Sequence, residues 1–252
     1  MTTARSYKRK YDKVLITGHE GFIGSALWKS FIEKGREPGV DLFGIDIKSG
    51  KDILTADLPE ADLVIHLAGI GGVRESLANP KKYWQNNVEG TRRILEHYKE
   101  GRVLVASSSS QYEPHLNPYA ASKNVIEYIP HDNVCFMRFH TVYGPTPRAN
   151  MFFDKLLNNK LEYVTHHKRD FIHIEDLMDA IEIIMDSKTV GPIDVGTGHC
   201  VSIQDIRPDL PVRINTVGER VITQANTKKL RDLGFTTKHT VEQFLKDKGI
   251  KE

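Results

Sequence analysis

The sequence predicts an α/β fold, a doubly wound parallel sheet followed by a small C-terminal lobe. Three observations carry this. Short apolar runs alternate with longer amphipathic stretches, the pattern of strands buried between layers of helix. A glycine-rich turn joins the first run to the first amphipathic stretch. Beyond Gly144 the regularity breaks up around Pro145, Pro147, Pro192, Pro208 and Pro211.

Taken in order, Val14, Leu15 and Ile16 form the first strand, and Phe22, Ile23, Ala26, Leu27 and Phe31 make the apolar stripe of a helix over 22–34. Strands are expected over 42–45 and 63–67, a helix over 80–99, a strand over 102–106, a helix over 118–129 and a strand over 134–139. A further helix over 175–187 sits in a segment, 173–196, that returns to the sheet. The sheet domain therefore takes 11–140 with 173–196, and the lobe takes 141–172 with 197–252. Residues 1–10, with Arg5, Lys8, Arg9 and Lys10 and no apolar run behind them, read as a flexible basic tail rather than a secretory signal.

Composition excludes several classes of function. The 35 Lys and Arg nearly balance the 33 Asp and Glu, with no long block of one sign, so neither nucleic acid nor an anionic membrane is an expected partner. No apolar run approaches the roughly 18 residues of a membrane span. Only Cys135 and Cys200 are present, in separate segments, which fits a reducing cytoplasm. His166, His167, His173 and His199 show no metal-ligand spacing, and no metal is expected.

The turn is Thr17-Gly18-His19-Glu20-Gly21-Phe22-Ile23-Gly24. Gly18 supplies turn dihedrals closed to other residues, Gly21 lets backbone approach a phosphate, and Gly24 allows close packing of helix on strand. The N–H groups at the helix start, around Phe22 and Ile23, can hold a pyrophosphate. Asp46 ends the next strand 22 residues after Gly24, with Ile47 beside it. A carboxylate there accepts ribose hydroxyls and repels a 2′-phosphate, which favours NAD over NADP despite nearby Lys48. The fold is thus of the Rossmann type.

A second motif, Tyr119-Ala120-Ala121-Ser122-Lys123, follows Ser107-Ser108-Ser109-Ser110. Four residues apart, Tyr119 and Lys123 share one helix face. Alone, such a pair is an ordinary exposed one. Behind the glycine turn it reads as an acid/base pair, the ammonium and a positive nicotinamide lowering the phenol's pKa toward working pH. Ser108, at a strand's C-terminal end, is placed to bond the same substrate oxygen.

These motifs resemble those of the extended short-chain dehydrogenases/reductases, and among them the NAD-dependent sugar-nucleotide epimerase/dehydratase family. The resemblance runs from about residue 13 to 245, through Asp57-Leu58, His66-Leu67-Ala68-Gly69, Asn86-Asn87-Val88-Glu89-Gly90-Thr91, the serine and Tyr-x-x-x-Lys segments, and Arg169-Asp170-Phe171. The runs Gly72-Val73-Arg74-Glu75-Ser76 and Arg138-Phe139-His140-Thr141-Val142-Tyr143-Gly144-Pro145 look like UDP-glucuronate 4-epimerases. The resemblance implies Asp57 and Leu58 near adenine, Leu67, Ala68, Gly69 and Ala106 along the dinucleotide, Asn87 behind it, and His140 beside the nicotinamide. It implies Ser108, Tyr119 and Lys123 as catalytic, with Lys123 on the nicotinamide ribose. Arg74, Ser109, Ser110, Thr141, Asn150, Arg169 and Arg220 would face a nucleotide sugar, a UDP-sugar foremost, with arginine suiting the diphosphate. The implied reaction is C4 epimerisation through a 4-keto sugar. A reductase or dehydratase, or an NAD(H)-binding protein without turnover, are the alternatives. Relatives dimerise through the two helices at 80–99 and 118–129, which implies a homodimer.

The chain departs from the family pattern in its substrate segments. Only six residues separate Tyr112 from Tyr119, Glu113 replaces a glycine, and 141–169 is short, implying a smaller or more open sugar pocket. Family dehydratases place an acidic pair after the catalytic Ser/Thr, whereas here those positions are Ser109 and Ser110, which argues against dehydration.

Overall fold

The computed structural model describes residues 10–33, 40–214 and 217–250. Apart from Lys10, the expected basic tail lies outside the described residues, as does Lys34 at the end of the first expected helix. Lys10 itself donates to the carbonyls of Met185, Asp186 and Ser187.

The first five strands are β1 (Lys13–Thr17), β2 (Asp41–Ile45), β3 (Leu63–His66), β4 (Arg102–Ser108) and β5 (Val134–Phe139). After them come β6 (Thr141–Tyr143), β7 (Val164–Thr165), β8 (Lys168–His173) and β9 (Gly191–Val195). A six-stranded sheet, all parallel, runs β2-β1-β3-β4-β5-β9. Its inner strands are near-continuous runs of Val, Ile and Leu, as burial on both faces requires. The helices are α1 (Phe22–Glu33), α2 (Val73–Ala78), α3 (Pro80–Tyr83), α4 (Gly90–His97), α5 (Pro118–Val125), α6 (Phe152–Leu157) and α7 (Ile174–Asp186). Leu27 and Phe31 of α1 pack with Leu177, Ile181 and Ile184 of α7 on one face of the sheet, and Ile94, Leu95 and Tyr98 cover the other.

Two expected helices come out differently in detail. The stretch over 80–99 begins as α3, widens into a π-helical turn over Trp84–Glu89, and continues as α4. Such turns arise where a residue is fed inward, and the one turned in here is fully buried Asn87. The helix expected over 118–129 is α-helical only to Val125, with a tighter turn over Ile126–Tyr128. It begins where it does because Asn117 caps it, accepting from the Ala120 N–H at 2.7 Å, with Pro118 in the first position.

The lobe is organised on β8. One half lies between β10 (Cys200–Ser202) and β12 (Ile222–Thr223), the other beside β6, while β11 (Val212–Arg213) pairs β7. Short helices α8 (Ile203–Ile206), α9 (Lys228–Asp232) and α10 (Val241–Asp247) complete it. Tyr143, Phe153, Phe171 and Phe244 form its aromatic core. Leu230 and Phe235 pack instead into the core beneath the main sheet.

Asp170, fully buried on β8, joins these parts. Its carboxylate accepts from the N–H and hydroxyl of Thr197, the N–H of Gly198 and the N–H of Ala225, all at 2.8–3.0 Å. Removing it strands four donors, so Asp170→Ala is expected to cost about 3 kcal/mol or more of folding free energy, with Asp170→Asn intermediate. Urea unfolding followed by circular dichroism measures this.

Candidate active site

The glycine turn opens at the C-terminal edge of the sheet, between β1 and β3. Gly18 is left-handed (φ 72), and a Cβ on it would lie 2.7 Å from the Ala68 nitrogen. A Cβ on Gly24 would lie 2.0 Å from the Gly18 carbonyl oxygen, and one on Gly21 3.1 Å from it. Only glycines let α1 start this close to the strand, with the N–H groups of Phe22 and Ile23 left for a ligand, since no helical carbonyl reaches them. Asp46, buried at the end of β2, accepts from the Glu20 and Lys48 N–H groups, both at 2.9 Å. Each oxygen keeps a further lone pair for a ribose hydroxyl. Lys48 Nζ is spent on the Glu20 carbonyl. Ile47 stands 68% exposed beside it, Asp57 is exposed, and Leu58 packs against the second core. Leu67 and Ala68 are half-buried past β3, and Gly69 (φ 159) holds its Cα face against Asn87 Oδ1 and Lys123 Nζ. This backbone-lined cradle, with an acid at its ribose end, fits NAD.

A buried hydrogen-bond chain runs beneath the cradle. The Ala68 N–H donates to Thr17 Oγ1, whose hydroxyl meets His66 Nδ1 at 2.7 Å. His66 Nε2 lies 3.1 Å from Thr91 Oγ1, which donates to the Asn87 carbonyl. Because Thr91 spends its proton there, Nε2 must carry one and Nδ1 must accept. Burial pushes the His66 pKa down to about 3, so this neutral tautomer persists. Asn87 Oδ1 accepts the Ile70 N–H, and its Nδ2 donates to the Ile70 carbonyl and to Ser122 Oγ, which donates to the Tyr119 carbonyl.

Ser108, Tyr119 and Lys123 come together where β4 ends and α5 begins. The Ser108 hydroxyl accepts the Ser110 N–H at 3.1 Å and acts on the Tyr119 phenol, holding back the rise of its pKa. Lys123 Nζ donates to the Ala106 carbonyl at 2.7 Å and faces Gly69. Burial lowers the Lys123 pKa to about 8. The expectation that the Lys123 ammonium lowers the phenol pKa is corrected. Burial raises that of Tyr119, and the groups opposing it are Ser108 and Arg148, not Lys123. Arg148, which sequence reasoning missed, follows β6 and bonds the Gly71 carbonyl at 3.2 Å. Tyr83 closes the same wall, its ring edge-on to Tyr119 at 6.1 Å.

Behind the site lies a second network that the motifs did not announce. Glu127 takes Arg138 through both oxygens and accepts from Ser107, while Tyr112 donates to Asp194 at 2.7 Å. Asp194 stands 3.8 Å from His140 Nε2, and His140 is buried at the end of β5. Ser109 is buried, its carbonyl accepting from Arg220, which also pairs Glu113 at 3.0 Å. Arg74 and Arg169 converge on Glu219, at 3.0 and 3.6 Å, with His167 at 3.5 Å from the same carboxylate. Thr141 is half-buried on β6. Asn150 lies apart from these groups, exposed in left-handed backbone (φ 63) with its N–H on Asp154. Partners such as Glu219 and Asp194 are remote in sequence from the residues they serve, so no local pattern flags them.

Lys123 yields a stability test. Its folded pKa of about 8 lies below the unfolded 10.5, so the buried ammonium destabilises the fold fully below about pH 8 and less as pH rises toward 10.5. Lys123→Met is therefore expected to raise stability at pH 7 by on the order of 1–2 kcal/mol, after the lost Ala106 bond is subtracted. The gain should shrink toward pH 10, as thermal melts across that range would read.

A family model described as NAD dependent epimerase/dehydratase matches residues 14–196. Protein CapI of Staphylococcus aureus is 31% identical, with 67% of this chain and 68% of CapI covered. UDP-glucose 4-epimerase of Bacillus subtilis is 25% identical over 93% of this chain and 95% of its own. The structure of MoeE5 in complex with UDP-glucose and NAD superposes with a TM-score of 0.78 at 27% identity, covering 93% of this chain and 96% of that one. The chain thus belongs to the NAD-dependent epimerase/dehydratase family, extended short-chain dehydrogenases/reductases built on a Rossmann-type fold.

Proposed function

We propose that this protein is an NAD-dependent nucleotide-sugar 4-epimerase acting on a UDP-hexose or UDP-hexuronate. The observation that carries it is the convergence of Ser108, Tyr119 and Lys123 beside the backbone cradle. The chemistry that bound NAD supplies is reversible hydride exchange with the sugar's C4. Tyr119 Oη takes the proton of the C4 hydroxyl as that carbon is oxidised, and returns it when the 4-keto sugar is reduced on its other face. Ser108 Oγ holds the same oxygen. Lys123 holds the nicotinamide ribose, with Gly18, Gly21, Phe22, Ile23 and Gly24 on the pyrophosphate, Asp46 and Ile47 on adenosine, and Asn87 and His140 behind the ring.

Arg74, Arg169 and Arg220 are assigned to the nucleotide diphosphate, which would exchange places with Glu219, the counter-ion of the first two, and with Glu113, that of Arg220, while Ser109, Ser110 and Thr141 face the sugar. MoeE5 is also known in complex with UDP-glucuronic acid and NAD, and a sugar carboxylate suits the Arg148 guanidinium beside Tyr119. Serines at 109 and 110 offer no acid pair for dehydration. The lobe of 141–172 and 197–252 is read as the substrate half and the sheet domain as the cofactor half. The helical faces at 80–97 and 118–128, with Trp84 and Tyr128 exposed, are read as the homodimer seam. Two free thiols fit a reducing cytoplasm.

An NMR time course with NAD and UDP-glucuronate, UDP-glucose or their N-acetylated analogues tests the reading. A C4 epimer should accumulate with no net reduction of cofactor, and Tyr119→Phe should slow it by about 10²–10⁴-fold. Cofactor binding with every sugar nucleotide unchanged would overturn it in favour of a binding protein. Sedimentation at the monomer mass would overturn the dimer.

A further inference from the structure

Three side chains that play no part in the proposed chemistry meet at the start of α7. His173, Glu175 and His239 each offer one ligand atom, all within 4.8 Å of one another. His173 ends β8 and caps α7, Glu175 stands in its first turn, and His239 comes from the segment between α9 and α10, folded back over that turn. Fully buried Asp176 anchors that segment, accepting from the N–H groups of Lys238 and His239 and facing His239 Nδ1 at 2.9 Å.

The Asp176 contact places a proton on His239 Nδ1 and leaves the lone pair on Nε2. Nε2 then lies 3.2 Å from Glu175 Oε2, and two acceptors at that distance need a cation or a proton between them. The His173 ring lies over that of His239, centroids 4.2 Å apart, and its Nδ1 takes only a long 3.3 Å bond from the Glu175 N–H. Two imidazoles and a carboxylate, with a second carboxylate behind one imidazole, are the donor set of zinc. We propose that His173, Glu175 and His239 bind a zinc ion that clips the C-terminal segment onto the start of α7, water completing the tetrahedron. Ligand atoms around tetrahedral zinc stand roughly 3.3 Å apart, so the three draw together on binding. Glu175, exposed, and His239, half-exposed, have room to do so.

Chelator-treated full-length protein titrated with Zn²⁺ by calorimetry should take up one ion per chain, with a rise in melting temperature. His239→Ala and Glu175→Gln should each weaken binding at least tenfold. Glu175→Gln removes only an exposed ligand, so it remains informative should His239→Ala loosen the fold. Co²⁺ in place of zinc should give the intense visible bands of a tetrahedral site. No stoichiometric zinc, or affinity equal in wild type and Glu175→Gln, would overturn the site. So would a proton on both nitrogens of His239 in NMR spectra that Zn²⁺ leaves unchanged.

Discussion

The hydrogen-bond chain from Ala68 through Thr17, His66 and Thr91 to Asn87 fixes the spacing on which both halves of the site depend. Each member spends its proton in one direction, so the chain has one consistent orientation and tolerates no extra proton. Asn87 then passes the connection to Ser122 and so to the backbone of Tyr119. The floor of the cradle and the helix carrying the phenol are therefore set by one buried network rather than by two independent packings. A partly satisfied network of this kind would be worse than an apolar one, because Thr17, His66, Thr91 and Asn87 lie where water cannot replace a lost partner. The π-helical turn belongs to the same constraint, since it is what turns Asn87 inward.

The lobe depends on a different device. Among the described residues no cation is bonded to Asp170, which is held by three backbone N–H groups and a hydroxyl. Next to it on β8, Arg169 shares Glu219 with Arg74 of α2, so the positive charge of the two arginines is balanced by one carboxylate. That arrangement limits the cost of holding Arg169 largely buried, a cost seen in its lowered pKa. On the function proposed above, binding a diphosphate there would be an exchange of counter-ions rather than the filling of a bare cationic hole.

Much of this was legible in the sequence where the signal is local. The glycines at 18, 21 and 24 are fixed by close backbone approach, Asp46 by its place after the second strand, and the sheet follows from periodicity. What stayed hidden is what the chain assembles over distance. Helix α2 is six residues long, too short for periodicity to reveal. Strands β6 and β8 pair across the 24 residues of 144–167, and Arg148, Asp194 and Glu219 gain their meaning only from partners on other elements. His173 and His239, 66 residues apart, carry no spacing signature at all.

The phenol shows how burial competes with the charges around it. On a helix face, Lys123 stands one turn from Tyr119, and proximity alone suggests that the ammonium acidifies the phenol. In the folded chain Lys123 turns to the Ala106 carbonyl, and the groups that act on the phenol are others. Burial then dominates at Tyr119 and holds it neutral, with Ser108 and Arg148 in partial opposition. A base of this kind is poised by what enters the pocket. Positive charge arriving on the cradle side, and loss of water with it, is what shifts the phenol toward phenolate. With Tyr119 as the base of the proposed reaction, proton abstraction would thereby be tied to an occupied cofactor site, and the phenol would stay inert when there is nothing for the sugar's electrons to reduce.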